Sequence, residues 1–133
     1  MREIILDIET SGLEHKEGHR VIEIGCIELN KKEVVSHFHE YINPLKTLTP
    51  ENIKIHGITN EYLENKPLFE DIADSFLDFI KDSPVIAHNA NFDIGFLNSE
   101  LEKISKPLIS KDRVVDTVSI ARKRFPGQQV NLD

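Results

Sequence analysis

Residues 1–133 predict an α/β domain in which a mixed β-sheet is flanked by helices. Three observations carry this. Strand-like apolar runs follow one another through the first third of the chain. Two later segments repeat apolar residues at helical spacing. A short strand-like run follows each of those segments, so the second half alternates helix and strand.

In order, residues 2–8 read as a buried strand. Residues 20–29 and 33–42 read as two more, joined by the polar turn Asn30-Lys31-Lys32, which makes the opening an antiparallel meander. A loop-rich stretch follows, with Pro44, Pro50 and the run His56-Gly57-Ile58-Thr59. Pro50 suits the first position of a short helix, with Thr49 as its cap. Over residues 68–81, Phe69, Ile72, Ala73, Phe76, Leu77, Phe79 and Ile80 share one helical face. Asp71, Asp74 and Asp78 lie opposite, so this is a packing helix with a solvated acidic side. Residues 84–88 form a short strand, 91–104 a second amphipathic helix, 113–116 a strand, and 117–125 a further helix that Pro126-Gly127 breaks. The order β-β-β-α-β-α-β-α is that of the ribonuclease-H-like architecture.

The run Asp7-Ile8-Glu9-Thr10-Ser11-Gly12 is the strongest local signal for chemistry. Strand side chains alternate, so Asp7 and Glu9 share a face while Ile4, Leu6 and Ile8 take the other. Two strand rises separate the two acids, about 6.5 Å, which brings two hard oxygen donors within reach of a cation. A strand end running into solvent explains the hexapeptide as well. Asp93 is harder to explain that way. Phe92, Ile94, Phe96, Leu97, Leu101 and Ile104 cover a broad arc of its helix, and Asp93 falls inside that arc. A lone carboxylate buried there either takes up a proton or needs a positive partner. The competing reading places Asp93 at a frayed helix start, where acids suit the macrodipole.

With His88-Asn89-Ala90-Asn91-Phe92-Asp93 added, the three runs together resemble the DnaQ-like 3′→5′ exonucleases of the DEDD class. They lie nearest the proofreading branch that serves bacterial DNA polymerase III. The resemblance covers essentially the whole chain. It implies that Asp7, Glu9 and Asp93 are both catalytic residues and metal ligands, holding two Mg²⁺ or Mn²⁺ ions. It also implies that Thr10 and His56 meet the terminal nucleotide, that His88 orients the segment or the substrate, and that Phe92 or Phe96 supplies an apolar wall. Asp116-Thr117 matches a recurrent structural position. The implied substrate is a single-stranded nucleic-acid 3′ end, and the implied partners are subunits of DNA polymerase III. An RNA-trimming exoribonuclease of the same family is the alternative. The family's general base and fourth acid come from a later H-x-x-x-x-D segment, with Tyr replacing His in one branch. Neither occurs before Asp133, so the pattern predicts one exonuclease domain cut short at its C-terminus and nearly inactive as residues 1–133 alone. An inactive nuclease-fold binding module is the corresponding non-enzymatic reading.

The remaining residues narrow the classes further. The net charge is −7 and the isoelectric point about 5.3, which argues against broad electrostatic capture of duplex nucleic acid. Bound cations would supply the local positive charge instead. Cys26 is the only cysteine, no apolar run spans a membrane and no signal-peptide pattern opens the chain, so a cytoplasmic setting without membrane contact is expected. His37 and His39 share a strand face, but with no accompanying ligand they read as a solvated edge rather than a metal pair. His15 and His19 fall in a charged loop and read as solvated. Arg20, Arg122, Lys123 and Arg124 read as charged element ends rather than phosphate ligands. Glu23 has no assigned role. A haloacid-dehalogenase-like phosphatase would need an Asp where Glu9 stands.

Overall fold

In a computed structural model, residues 2–117 are described. The elements are β1 (Arg2–Thr10), β2 (Val21–Asn30), β3 (Glu33–Tyr41), α1 (Pro50–His56), α2 (Asn60–Leu63), α3 (Phe69–Ile80), β4 (Val85–Ala87), α4 (Ala90–Lys103) and β5 (Val114–Asp116). Single 3₁₀ turns occur at His15–Glu17 and Lys111–Arg113. The sheet order is β3-β2-β1-β4-β5. The first three strands form the expected antiparallel meander, and β4 and β5 join β1 in parallel, so the sheet is mixed. The expected helix over 117–125 lies outside the described residues beyond its first position, as do Arg122, Lys123, Arg124 and Asp133.

Alternation divides the sheet into two faces. Ile4, Leu6 and Ile8 of β1 pack with Val21, Ile24 and Cys26 of β2 beneath α3 and α4. From α3 come Phe69, Ile72, Ala73, Phe76 and Ile80, the stripe its spacing predicts, while Asp71, Asp74 and Asp78 stay exposed. The Asp71 carboxylate accepts from the Leu68 backbone N–H at 2.9 Å and so caps the start of α3. Burial pushes the Cys26 thiol up to about 12, leaving it an inert core group. On the opposite face, register aligns Asp7 with Gly25 and His39, and Glu9 with Glu23 and Tyr41.

A bulge sits where the chemistry begins. Glu9 pairs with Glu23, yet Thr10 pairs with Val21, so Ile22 is the extra residue. The bulge lets Val21 and Ile22 both be buried. Val21 joins the main core, while Ile22 joins Leu48, Ile58 and Leu63 in a smaller core under the loop region. That second core explains α2, which sequence periodicity misses. Thr49 caps α1 through Asn52 N–H as expected, Gly57 ends α1 at φ 74°, and Thr59 then caps α2 through Tyr62 N–H.

One ion pair on a buried carboxylate ties the meander to α4. Glu100 is 2% exposed and accepts from Arg20 at 2.5 Å and from Val21 N–H at 3.1 Å. Arg20 is therefore a structural residue held by a carboxylate, and it is not free for phosphate. Arg20→Ala leaves that buried carboxylate without its cation and is expected to destabilise the chain by about 3–5 kcal/mol. Asp78→Ala, on the exposed face of α3, should stay within about 0.5 kcal/mol. Urea unfolding of the two variants checks the contrast.

Candidate active site

The parallel strands β1, β4 and β5 all finish at the same end of the sheet, and the acids gather there. Asp7 and Glu9 occupy the last part of β1, Asp93 sits in the first turn of α4 directly after β4, and Asp116 closes β5. Asp7 is exposed, Glu9 half-buried, and Asp93 is 5% exposed. Burial, with the charges of Asp7, Glu9 and Asp116, pushes the Asp93 carboxyl up to about 8. Burial, Asp7 and Glu23 raise Glu9 as well. The acids are thus electrostatically coupled. Among the described residues, however, no group of three His, Cys, Asp or Glu side chains is closed into a metal cage. The donor set, all hard oxygens with one buried, is nonetheless of the kind that suits Mg²⁺ or Mn²⁺.

The start of α4 is held by β5. Asn89, at φ 61° and ψ 55°, precedes the helix in the left-handed region, and its N–H donates to Asp116 Oδ1 at 3.1 Å. His88 Nδ1 lies 3.0 Å from Thr117 Oγ1. The Asp116-Thr117 pair therefore clasps the His88-Asn89 pair and fixes the turn from which Asp93 projects. This gives Asp116-Thr117 the structural role expected of it, and it adds Asp116 to the charges around Asp93. A carboxylate ending the strand beside β4 was the available signal for that second part.

The residues expected to meet substrate divide. His56 is half-buried with both ring nitrogens engaged: Nδ1 accepts from Ile58 N–H at 3.0 Å, and Nε2 lies 2.7 Å from Asn52 Oδ1. Burial lowers its pKa, so it presents a neutral ring rather than a free nitrogen. Thr10 is 8% exposed, and its hydroxyl donates to Gly12 O at 2.7 Å, so its side chain closes the turn instead of lining a pocket. His88 is exposed. Phe92 is half-buried, its ring 4.9 Å from that of Phe96. Phe96 is 1% exposed and belongs to the core, which corrects its expected place in a substrate wall. Phe92 and Phe96 share one helical face, and the turn between them carries position 96 about 6 Å further along α4, away from the acidic end and into the core.

Two loop histidines are also corrected. His15 and His19 are half-buried, not solvated. His15 stacks edge-on against Phe96 at 5.5 Å and would meet a Cβ added to Gly95 at 3.2 Å. The His19 ring lies where a Cβ on Gly12 would fall, 2.4 Å away, so only glycine fits at position 12. His39, on edge strand β3, is exposed as expected, but a carboxylate does accompany it: its Nε2 lies 2.6 Å from Glu23 Oε2. Cross-strand register, which the sequence does not display, brings the two together.

The sign of the Asp93 shift gives a test. Its folded value near 8 lies above its ordinary 3.8, so the folded chain keeps a proton that the unfolded chain releases between those values. Metal-free stability should therefore fall as pH rises across that window. Asp93→Asn should leave only the smaller decline that the raised Glu9 contributes, and raise the melting midpoint at pH 8.5 in chelator by at least about 5 °C. Melting curves of both chains at pH 5 and 8.5 measure this.

A family model described as RNase T, Exonuclease matches residues 4–133. DNA polymerase III subunit epsilon of Rickettsia felis is 50% identical over 137 residues, which is 100% of this chain and 60% of that protein. The subunit epsilon of Escherichia coli (strain K12) is 39% identical over 140 residues, 99% of this chain and 58% of that protein. The chain thus spans about three-fifths of the length of the curated relatives it matches. Exonuclease X, solved in complex with 5′ overhanging duplex DNA, shares the fold with a TM-score of 0.73 at 24% identity, over 97% of this chain and 68% of that one.

Proposed function

We propose that this chain, which belongs to the exonuclease family, removes nucleotides from a single-stranded DNA 3′ end by metal-assisted hydrolysis, with proofreading beside DNA polymerase III subunits as its setting. The observation that carries the reading is Asp93, a carboxylate buried at one end of the sheet among the charges of Asp7, Glu9 and Asp116. An arrangement so unfavourable to the empty fold is what a cation-dependent site requires. The epsilon subunits among the relatives support the replicase setting.

Asp7, Glu9 and Asp93 would hold the Mg²⁺ or Mn²⁺ ions, which when bound lower the pKa of a water and offset charge on the phosphate. The chain's own residues supply position. Exposed Asp7 offers its oxygens from the solvent side, and buried Asp93 closes the site from beneath. The His88–Thr117 and Asn89–Asp116 contacts keep Asp93 at one helix register. The neutral His56 ring, locked by Asn52 and Ile58, gives the terminal nucleotide a rigid surface, and Phe92 gives it an apolar one. The phosphorus–O3′ bond breaks, water supplies the new oxygen, and a nucleoside 5′-monophosphate leaves.

A strand labelled at its 5′ end tests this. Mononucleotides should leave from the 3′ end with Mg²⁺ and not with chelator. Asp7→Ala should lower the rate by more than the roughly hundredfold that changes outside a metal's own ligands cost. Release unaffected by Asp7→Ala would refute the reading, and preference for RNA over DNA would move it to the exoribonucleases.

A further inference from the structure

The row that starts at Glu9 continues beyond the acids. Register carries it through Glu23 to Tyr41 at the sheet's edge. Neighbouring strands lie about 4.8 Å apart, so Tyr41 stands roughly 10 Å from Glu9 on the same face. The Tyr62 ring meets the Tyr41 ring edge-on at 4.8 Å and 86°. The Lys66 ammonium sits 4.5 Å from the Tyr62 ring centre and 5.8 Å from that of Tyr41. Tyr62 nevertheless keeps 47% of its surface open. The ledge is built rather than incidental. Asn43, just past β3, takes the Pro67 carbonyl on its N–H at 2.9 Å and donates its amide to Glu64 O at 3.3 Å, which locks the end of α2 against β3.

We propose that Tyr41, Tyr62 and Lys66 form a stacking ledge for single-stranded nucleic acid a few nucleotides in from the end held at Asp7 and Glu9. The proposal rests on the exonuclease reading and extends its site. The Lys66 ammonium covers one face of the Tyr62 ring and is placed to meet a phosphate, which leaves the ring's other face to accept any base, as an enzyme indifferent to sequence requires. Glu61 on α2 and Glu64 just past it are exposed, and Glu23 lies at the ledge's inner end, so no broad basic field surrounds it. Binding there is short-range: stacking with a single phosphate contact. The salt dependence should be correspondingly shallow, with Lys66 contributing about 0.7 to the logarithmic slope.

The test compares thymidine 5′-monophosphate with an oligothymidylate of about eight nucleotides, by binding to the full chain with Ca²⁺ in place of Mg²⁺. Tyr62→Ala should weaken the oligomer roughly tenfold and leave the mononucleotide unchanged, while Tyr62→Phe restores the oligomer. Lys66→Gln should flatten the salt dependence of the oligomer alone. Melting midpoints confirm that each variant is folded. Equal binding of mononucleotide and oligomer by the unaltered chain, or no effect of Tyr62→Ala on the oligomer, overturns the ledge. Mononucleotide binding that ignores the cation counts against the exonuclease reading, and a Tyr62 effect that persists beside it still supports the ledge.

Discussion

A carboxylate buried among other carboxylates is the constraint around which this structure is arranged. Asp93 has little water to solvate it, and three acids lie within electrostatic reach. Such a group survives in a fold only if its backbone is fixed by interactions stronger than its own tendency to move away. The clasp between Asn89 and Asp116 does this from one side. The hydrophobic anchoring of α4 through Ile94, Phe96, Leu97 and Leu101 does it from the other. The strain is local, and the core on which it is imposed is large.

The second requirement is that β1 and α4 keep a fixed relation, because Asp7 and Glu9 ride on one and Asp93 on the other. Their shared place in the main core is supplemented by the loop after β1. Ser11 Oγ accepts from Arg20 N–H at 2.9 Å, His19 lies over Gly12, and His15 rests on Gly95 and Phe96 of α4. Arg20 then reaches Glu100 about one turn further along the same helix. The loop thus works as a strap from the acidic end of β1 to the helix bearing the third acid. Its glycines at 12 and 95 are explained by the rings that occupy the space a side chain would need.

What the sequence disclosed follows from which forces are periodic. The faces of β1 and α3 were legible because alternation and the helical repeat record burial directly, and the buried place of Asp93 was legible as a charged residue inside an apolar arc. Boundaries shifted by one or two residues where strands extend past their last apolar position, as β1 does to Thr10. Helix α2 was not legible, since its four residues rest on a second core assembled from Ile22, Leu48, Ile58 and Leu63, far apart in sequence. The His39–Glu23 pair, the Arg20–Glu100 pair and the burial of His15 and His19 depend on register and loop packing, which no local pattern encodes. Phe96 went to the wrong place because an apolar arc does not say which of its members face the core and which the edge.

The acidic balance of the chain then has a local meaning. A chain with net charge −7 repels a polyanion at long range, so recognition of one would have to come from contacts made within a few ångströms. In the function proposed above, cations held by the carboxylates would reverse the sign of the field only at the C-terminal ends of β1, β4 and β5, where the scissile phosphate would lie. Away from those strand ends, the proposed ledge of Tyr41 and Tyr62 would meet bases through ring faces, without needing charge. The same carboxyl of Asp93 links the empty fold to the proposed chemistry. Burial and the charges of Asp7, Glu9 and Asp116 favour its protonated form, whereas the metal ligand proposed above must be deprotonated. On that reading, stability of the empty fold and affinity for a cation would be opposed through a single residue, and the balance between them would depend on how deeply α4 buries it and on the three charges beside it.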